Sequence, residues 1–116
     1  MRALPITCSI DQKFSCGGPR GCEAVSPGRS YNLIDEERQT FSRCDDRGCD
    51  EYPAIFTPSG AFTYITFAPT AFAKLSNSNR TAEMAGIPPL QFQETASSGL
   101  GVLVSFGTCS RDMAGP

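Results

Sequence analysis

The chain is 116 residues long, 40% hydrophobic and 19% charged, with a formal net charge of −2, six cysteines and no histidine. That length fits one folded domain and leaves no room for a second core. The slight negative charge supplies no basic footprint for nucleic acid and no pull toward an anionic membrane, and no apolar run approaches the ~20 residues that cross a bilayer.

An even cysteine count in a short chain rich in Gly and Pro reads as a disulfide framework, which implies an oxidising compartment, periplasmic or secreted. The opening MRALPITC has too few apolar residues for a signal peptide, so any leader is expected to lie outside this sequence.

Taken in chain order, short β-branched, aromatic and alternating stretches recur between turn signals about every eight to twelve positions. Strands are expected at ITCSI (6–10), YNLI (31–34), TFSRC (40–44), YPAIF (52–56), AFTYITF (61–67), FAKLS (72–76), LQFQE (90–94) and LGVLVSF (100–106). GGPRG (17–21) and its flanks read as irregular. Asp35-Glu36-Glu37-Arg38 is a charged turn between YNLI and TFSRC. Pro58-Ser59-Gly60 and Ser97-Ser98-Gly99 supply turn residues between apolar runs. NSNRTAEMAGIPP (77–89) is the other long irregular stretch, with at most one helical turn at TAEMA.

Alternation places Phe62 and Tyr64 on one strand face, opposite Ala61, Thr63, Ile65 and Phe67. It likewise sets Leu100, Val102, Val104 and Phe106 against Gly101, Leu103 and Ser105. The expected fold is all-β. It is a small antiparallel up-and-down barrel of about eight short strands, alternatively a β-sandwich, curled to hide its edges and stapled by disulfides. One β domain is expected over 1–116, with 1–5 and 110–116 as terminal tails.

RCDDRGCDEY (43–52) holds two cysteines four residues apart among carboxylates and arginines. A zinc site is disfavoured, because no histidine is present and the other close pair, Cys16 and Cys22, has five residues between. The acids Asp45, Asp46, Asp50 and Glu51 lack the alternating spacing of a calcium loop, and the cysteines are not a C-x-x-C redox motif. A hairpin stapled by Cys44–Cys49 fits best. Gly48 tolerates a left-handed backbone, and the Cα atoms should lie within the ~5.5 Å typical of a bridge. Cys16 and Cys22 can close the Gly17–Gly21 loop, which leaves Cys8 and Cys109 to tie the chain ends.

Without histidine, the commonest general base and the Ser-His and Cys-His pairs are missing. A Ser-x-x-Lys dyad at Lys13 or Lys74 would need serine where Ile10 and Ala71 stand. The acids cluster in turns, where solvated surface explains them better than glycoside hydrolysis. No phosphate cradle precedes a helix, and Asn79-Arg80-Thr81 matches an N-glycosylation acceptor. No enzyme activity, metal or cofactor is expected.

The CSIDQKFSC opening, the RCDDRGCDEY hairpin, Lys74-Leu75 and the closing SSGLGVLVSFGTC together resemble a group of small exported alphaproteobacterial proteins. That resemblance implies export and a β fold, and carries over no catalytic residue. A weaker likeness is to the periplasmic inhibitors of C-type lysozyme, small disulfide-bearing eight-stranded barrels with an S-G-x-x-Y loop whose serine enters the lysozyme cleft. Here Ser59-Gly60-Ala61-Phe62-Thr63-Tyr64 brings the tyrosine one position late, which in a strand turns its ring to the opposite face.

These readings lead to a non-catalytic exported protein that binds a protein partner in the cell envelope through rigid loop tips. It would serve as an accessory subunit of a larger assembly or as an inhibitor of an envelope-directed enzyme. The contact candidates are Arg43, Asp45, Asp46, Arg47, Ser59 and Phe62. The alternative is a carrier of a small apolar ligand in the barrel mouth, lined by Phe14, Phe41, Phe56, Phe62, Tyr64 and Phe92.

Overall fold

The computed structural model describes residues 5–67 and 71–111. Nine strands form one antiparallel sheet: β1 (Ile6–Cys16), β2 (Cys22–Val25), β3 (Tyr31–Asp35), β4 (Thr40–Asp45), β5 (Gly48–Ser59), β6 (Phe62–Phe67), β7 (Ala71–Ser76), β8 (Gln91–Ser98) and β9 (Gly101–Ser110). Each neighbour follows in order, and β9 returns to pair with β1, from Thr7↔Ser110 to Cys16↔Val102. The result is a closed eight-stranded barrel with β2 added outside the ring. Closure gives every strand of the ring a neighbour on both sides, and among the described strands β2 alone is paired on one side only.

β1 makes this possible by changing partners. Its first part, Ile6–Ser9, pairs with β3, whereas Lys13–Cys16 pairs with β2. A bulge between Ile10 and Gln12 bends it at the changeover. Small residues on β9 let β1 come close. A Cβ on Gly107 would overlap the Ser9 carbonyl, and one on Gly101 would overlap the Cys16 carbonyl.

Several turns are tighter than the sequence suggested. Pro58 and Ser59 belong to β5, opposite Thr63 and Phe62, so the turn proper is Gly60-Ala61, with Gly60 at φ 62°. Ser97 and Ser98 likewise belong to β8, and Gly99-Leu100 turns the chain. Asp45 pairs with Gly48, leaving Asp46-Arg47 as a two-residue tip. The stretch around 17–21 is not wholly irregular, because a 3-10 turn at Gly18–Arg20 leads into β2. β9 runs through Ser110, so that residue is wall rather than tail, and the rest of the expected tails lies outside the described residues, apart from Pro5 and Arg111.

Alternation decides what fills the barrel. Ile6, Cys8, Ile34, Phe41, Ile65, Phe67, Ala73, Leu75 and Phe92 point inward and form the core. Phe41 stacks on Phe67 with ring centroids 3.9 Å apart, and Phe92 lies 6.1 Å from Phe41. The Cys8–Cys109 bridge joins the two closing strands inside this cluster, with Cα atoms 3.9 Å apart.

The end of the barrel that carries Ile6 and Ser110 is covered by the 77–90 connection. Asn79 caps the single-turn helix α1 (Arg80–Met84) by accepting from Ala82 N at 2.9 Å, and it donates to Gly60 O at 2.9 Å. Asn77 donates to the same oxygen, and Leu90 packs against the core. The first residue of the N-x-T pattern thus has a structural role of its own. The opposite end, which carries the β1–β2, β4–β5 and β8–β9 hairpins, opens to solvent.

Candidate functional site

At the open end the lumen widens into a cavity of about 290 Å³. The inward positions here are polar, although they sit on the same strand faces as the core. Lys13 comes from β1, Asn32 from β3, Arg43 from β4, Asp50 from β5, Glu94 from β8 and Ser105 from β9. Ile10, Ala96 and Leu103 supply the apolar part of the wall.

The floor is an ion pair. Arg43 donates from Nη2 at 2.6 Å and from Nε at 3.1 Å, both to Oε2 of Glu94. β4 and β8 are four strands apart either way round the ring, so this pair bolts the barrel across its diameter. Beneath it the guanidinium lies 5.2 Å from the Phe67 ring centroid and 5.7 Å from that of Tyr52, a cation–π arrangement that seals the apolar core.

Another carboxylate stands on the neighbouring strand, since Asp50 is the direct cross-strand partner of Arg43. The choice follows from desolvation. Asp50 is exposed and keeps its water, whereas the Glu94 side chain is only 10% exposed and would be costly to leave unpaired. Lys13 and Asp50 form no ion pair or hydrogen bond among the described residues.

Asn32 is 4% exposed. Its Nδ2 donates to Ser42 O at 3.3 Å, which fixes the amide orientation, and no described group donates to its Oδ1. Buried side-chain oxygens of this kind are rarely left without a partner.

Two disulfides staple the hairpins around the mouth. Cys44–Cys49 bridges directly opposed residues with Cα atoms 4.0 Å apart, within the expected separation, and Cys16–Cys22 does the same across β1 and β2. All three expected pairings are present, with no free cysteine among the described residues.

The six contact candidates do not form one surface. Asp45, Asp46 and Arg47 are at the β4–β5 tip, where the Asp45 carboxylate accepts from Arg47 N at 2.8 Å. Arg43 turns into the lumen. Ser59 is at the far end, and Phe62 lies on the outer wall. The apolar lining also has to be corrected. Phe41 and Phe92 are packed core, Phe56 packs against that core, and Phe14, Phe62 and Tyr64 face outward; none lines the mouth. Lys13, Asn32 and Glu94 were missed as lumen residues.

A second feature is the outer face of β6–β9 and the distal half of β1. Tyr64, Phe72 and Phe106 are exposed, and Phe14 meets Phe106 edge-on at 6.2 Å. Lys74 sits 4.7 Å above the Phe62 ring. Register interleaves these with Thr66, Gln93, Thr95 and Val104. Among the described outward residues of β6–β9, Lys74 is the one charge. At the position where a lysozyme-inhibitor loop has its tyrosine, Thr63 points inward and donates to Asn77 Oδ1 at 2.6 Å, while Tyr64 points out.

No family model matches the chain, and neither a curated protein nor a solved structure matches it.

Proposed function

We propose that this chain is an exported, non-catalytic protein that binds a protein partner in the cell envelope, and that it does so through the outer face of β6–β9 and the distal half of β1. The observation that carries the reading is the composition of that face: Phe14, Phe62, Tyr64, Phe72 and Phe106 among threonine, glutamine and valine, with no carboxylate among the described outward residues of β6–β9 and one, Asp11 at the β1 bulge, at its margin beside Thr108. Exposed aromatics and depleted acids distinguish the centre of a protein interface from ordinary surface. The strands beneath are hydrogen-bonded on both sides, so docking orders little backbone.

Export is supported by the three disulfides, which belong to oxidising compartments. A non-catalytic role is supported by the lack of histidine in the sequence. The loop tips keep a lesser part, because Ser59 pairs with Phe62 at the rim of the aromatic face.

The test is affinity capture from envelope extract with the wild type and with Phe72→Glu. Stoichiometric recovery of one protein by the wild type, lost in the variant at unchanged melting temperature, is the expected result. Equal recovery by both, or none by either, refutes the reading. Residual C-type lysozyme activity with added protein then separates the inhibitor from the accessory-subunit form.

A further inference from the structure

The mouth cavity calls for a ligand that the protein-binding reading does not supply. Once internal pairs are removed from its lining, the charges left are informative. Arg43 and Glu94 neutralise each other, and Asp45 is engaged with Arg47. One cation, Lys13, and one anion, Asp50, stand without a partner among the described residues. To these is added the buried acceptor Asn32 Oδ1, which no described group satisfies.

Asn32, Arg43 and Asp50 occupy one rung across β3, β4 and β5. Two acceptors therefore flank the guanidinium that holds Glu94, and both of its bonds fall on Oε2, so no described group reaches the other carboxylate oxygen. This side of the cavity is rich in acceptors. Lys13 is on β1, beyond β3, opposite Ser105 on β9.

The geometry points to this cavity as a binding site for a small zwitterion of the α-amino-acid class. The acceptors on the Asn32–Arg43–Asp50 rung, together with Glu94, take its ammonium group, and Lys13 takes its carboxylate. An ammonium group has three donors to distribute, which suits a set of convergent oxygens. Ile10, Ala96 and Leu103 receive the ligand's apolar carbons. The volume of about 290 Å³ equals the share of about ten waters at ~30 Å³ each, enough for one amino acid and too little for a lipid tail. The charged groups of this lining favour a zwitterion over the apolar cargo suggested by the aromatic residues in the sequence.

Calorimetry and thermal shift on the full chain test this with the free amino acids at millimolar concentration, beside their N-acetyl and carboxamide derivatives. At least one amino acid should give saturable heat and a raised melting temperature. Blocking either the ammonium or the carboxylate should weaken binding about tenfold or more, because a charge-assisted bond is lost. Asp50→Asn and Lys13→Gln should weaken it similarly, while Glu36→Gln at the closed end should not. The melting temperature of each unliganded variant reports whether it is folded. The inference is overturned if no amino acid gives saturable heat, if an N-acetyl derivative binds as well as its parent, or if folded Asp50→Asn binds like wild type. The ligand derivatives decide the matter even if a variant fails to fold.

Discussion

At the closed end of the barrel, Ile6, Cys8, Ile34, Phe41 and Phe92 pack together around a disulfide; a few rungs away, at the open end, Lys13, Asn32, Arg43, Asp50 and Glu94 face the same lumen. The same strands and the same alternation produce both halves, so the difference lies in the residues alone. The cross-links differ as well. The closed end has one buried bridge spanning 101 residues, whereas the open end has two bridges on its hairpins, spanning five and six. The comparison teaches that stability is concentrated in the dry half. This frees the wet half to keep unpaired polar groups that a core of this size could not otherwise tolerate.

The sharpest way to break that contrast is to remove the long bridge. Cys8→Ala/Cys109→Ala should cost about 4.7 kcal/mol in the loop-entropy model, read from urea unfolding under non-reducing conditions. Gly107→Ala pushes a methyl group into the Ser9 carbonyl at the closing seam and should cost about 3 kcal/mol in the same measurement. Glu94→Gln tests the boundary between the halves. It strands a guanidinium that is itself 36% exposed, so a loss of about 2 kcal/mol is expected, recovered in Arg43→Met/Glu94→Leu. At the mouth, Cys44→Ala/Cys49→Ala should cost no more than about 2 kcal/mol, since its closed loop is short. If that last change cost as much as the first, the division between the halves would be wrong.

Much of the fold was legible because turn chemistry and alternation are local signals. Gly48, Gly60 and Gly99 all have positive φ at the hairpin tips where the sequence places turns. β2 was not legible: CEAV is four residues long, exposed throughout, and gains its identity only from pairing with β1. The mouth was harder still. In the sequence, Lys13, Arg43 and Glu94 look like ordinary solvated charges, and Phe62 and Tyr64 look like lining. Alternation says which residues share a face but not which face is inside, and in this barrel the inward face of β9 is its less apolar one, Gly101, Leu103, Ser105 and Gly107. Arg43 meets Glu94 across the lumen, a contact between residues 51 positions apart that no local pattern reports.

The bridge between the first and last strands also has a mechanical consequence. Tension applied at Ile6 and Ser110 would pass from Cys8 straight to Cys109 through a covalent link, and the 101-residue span between them would carry almost no load. A tether or fusion attached at that end could be tugged hard without prising the wall apart or deforming the opposite opening.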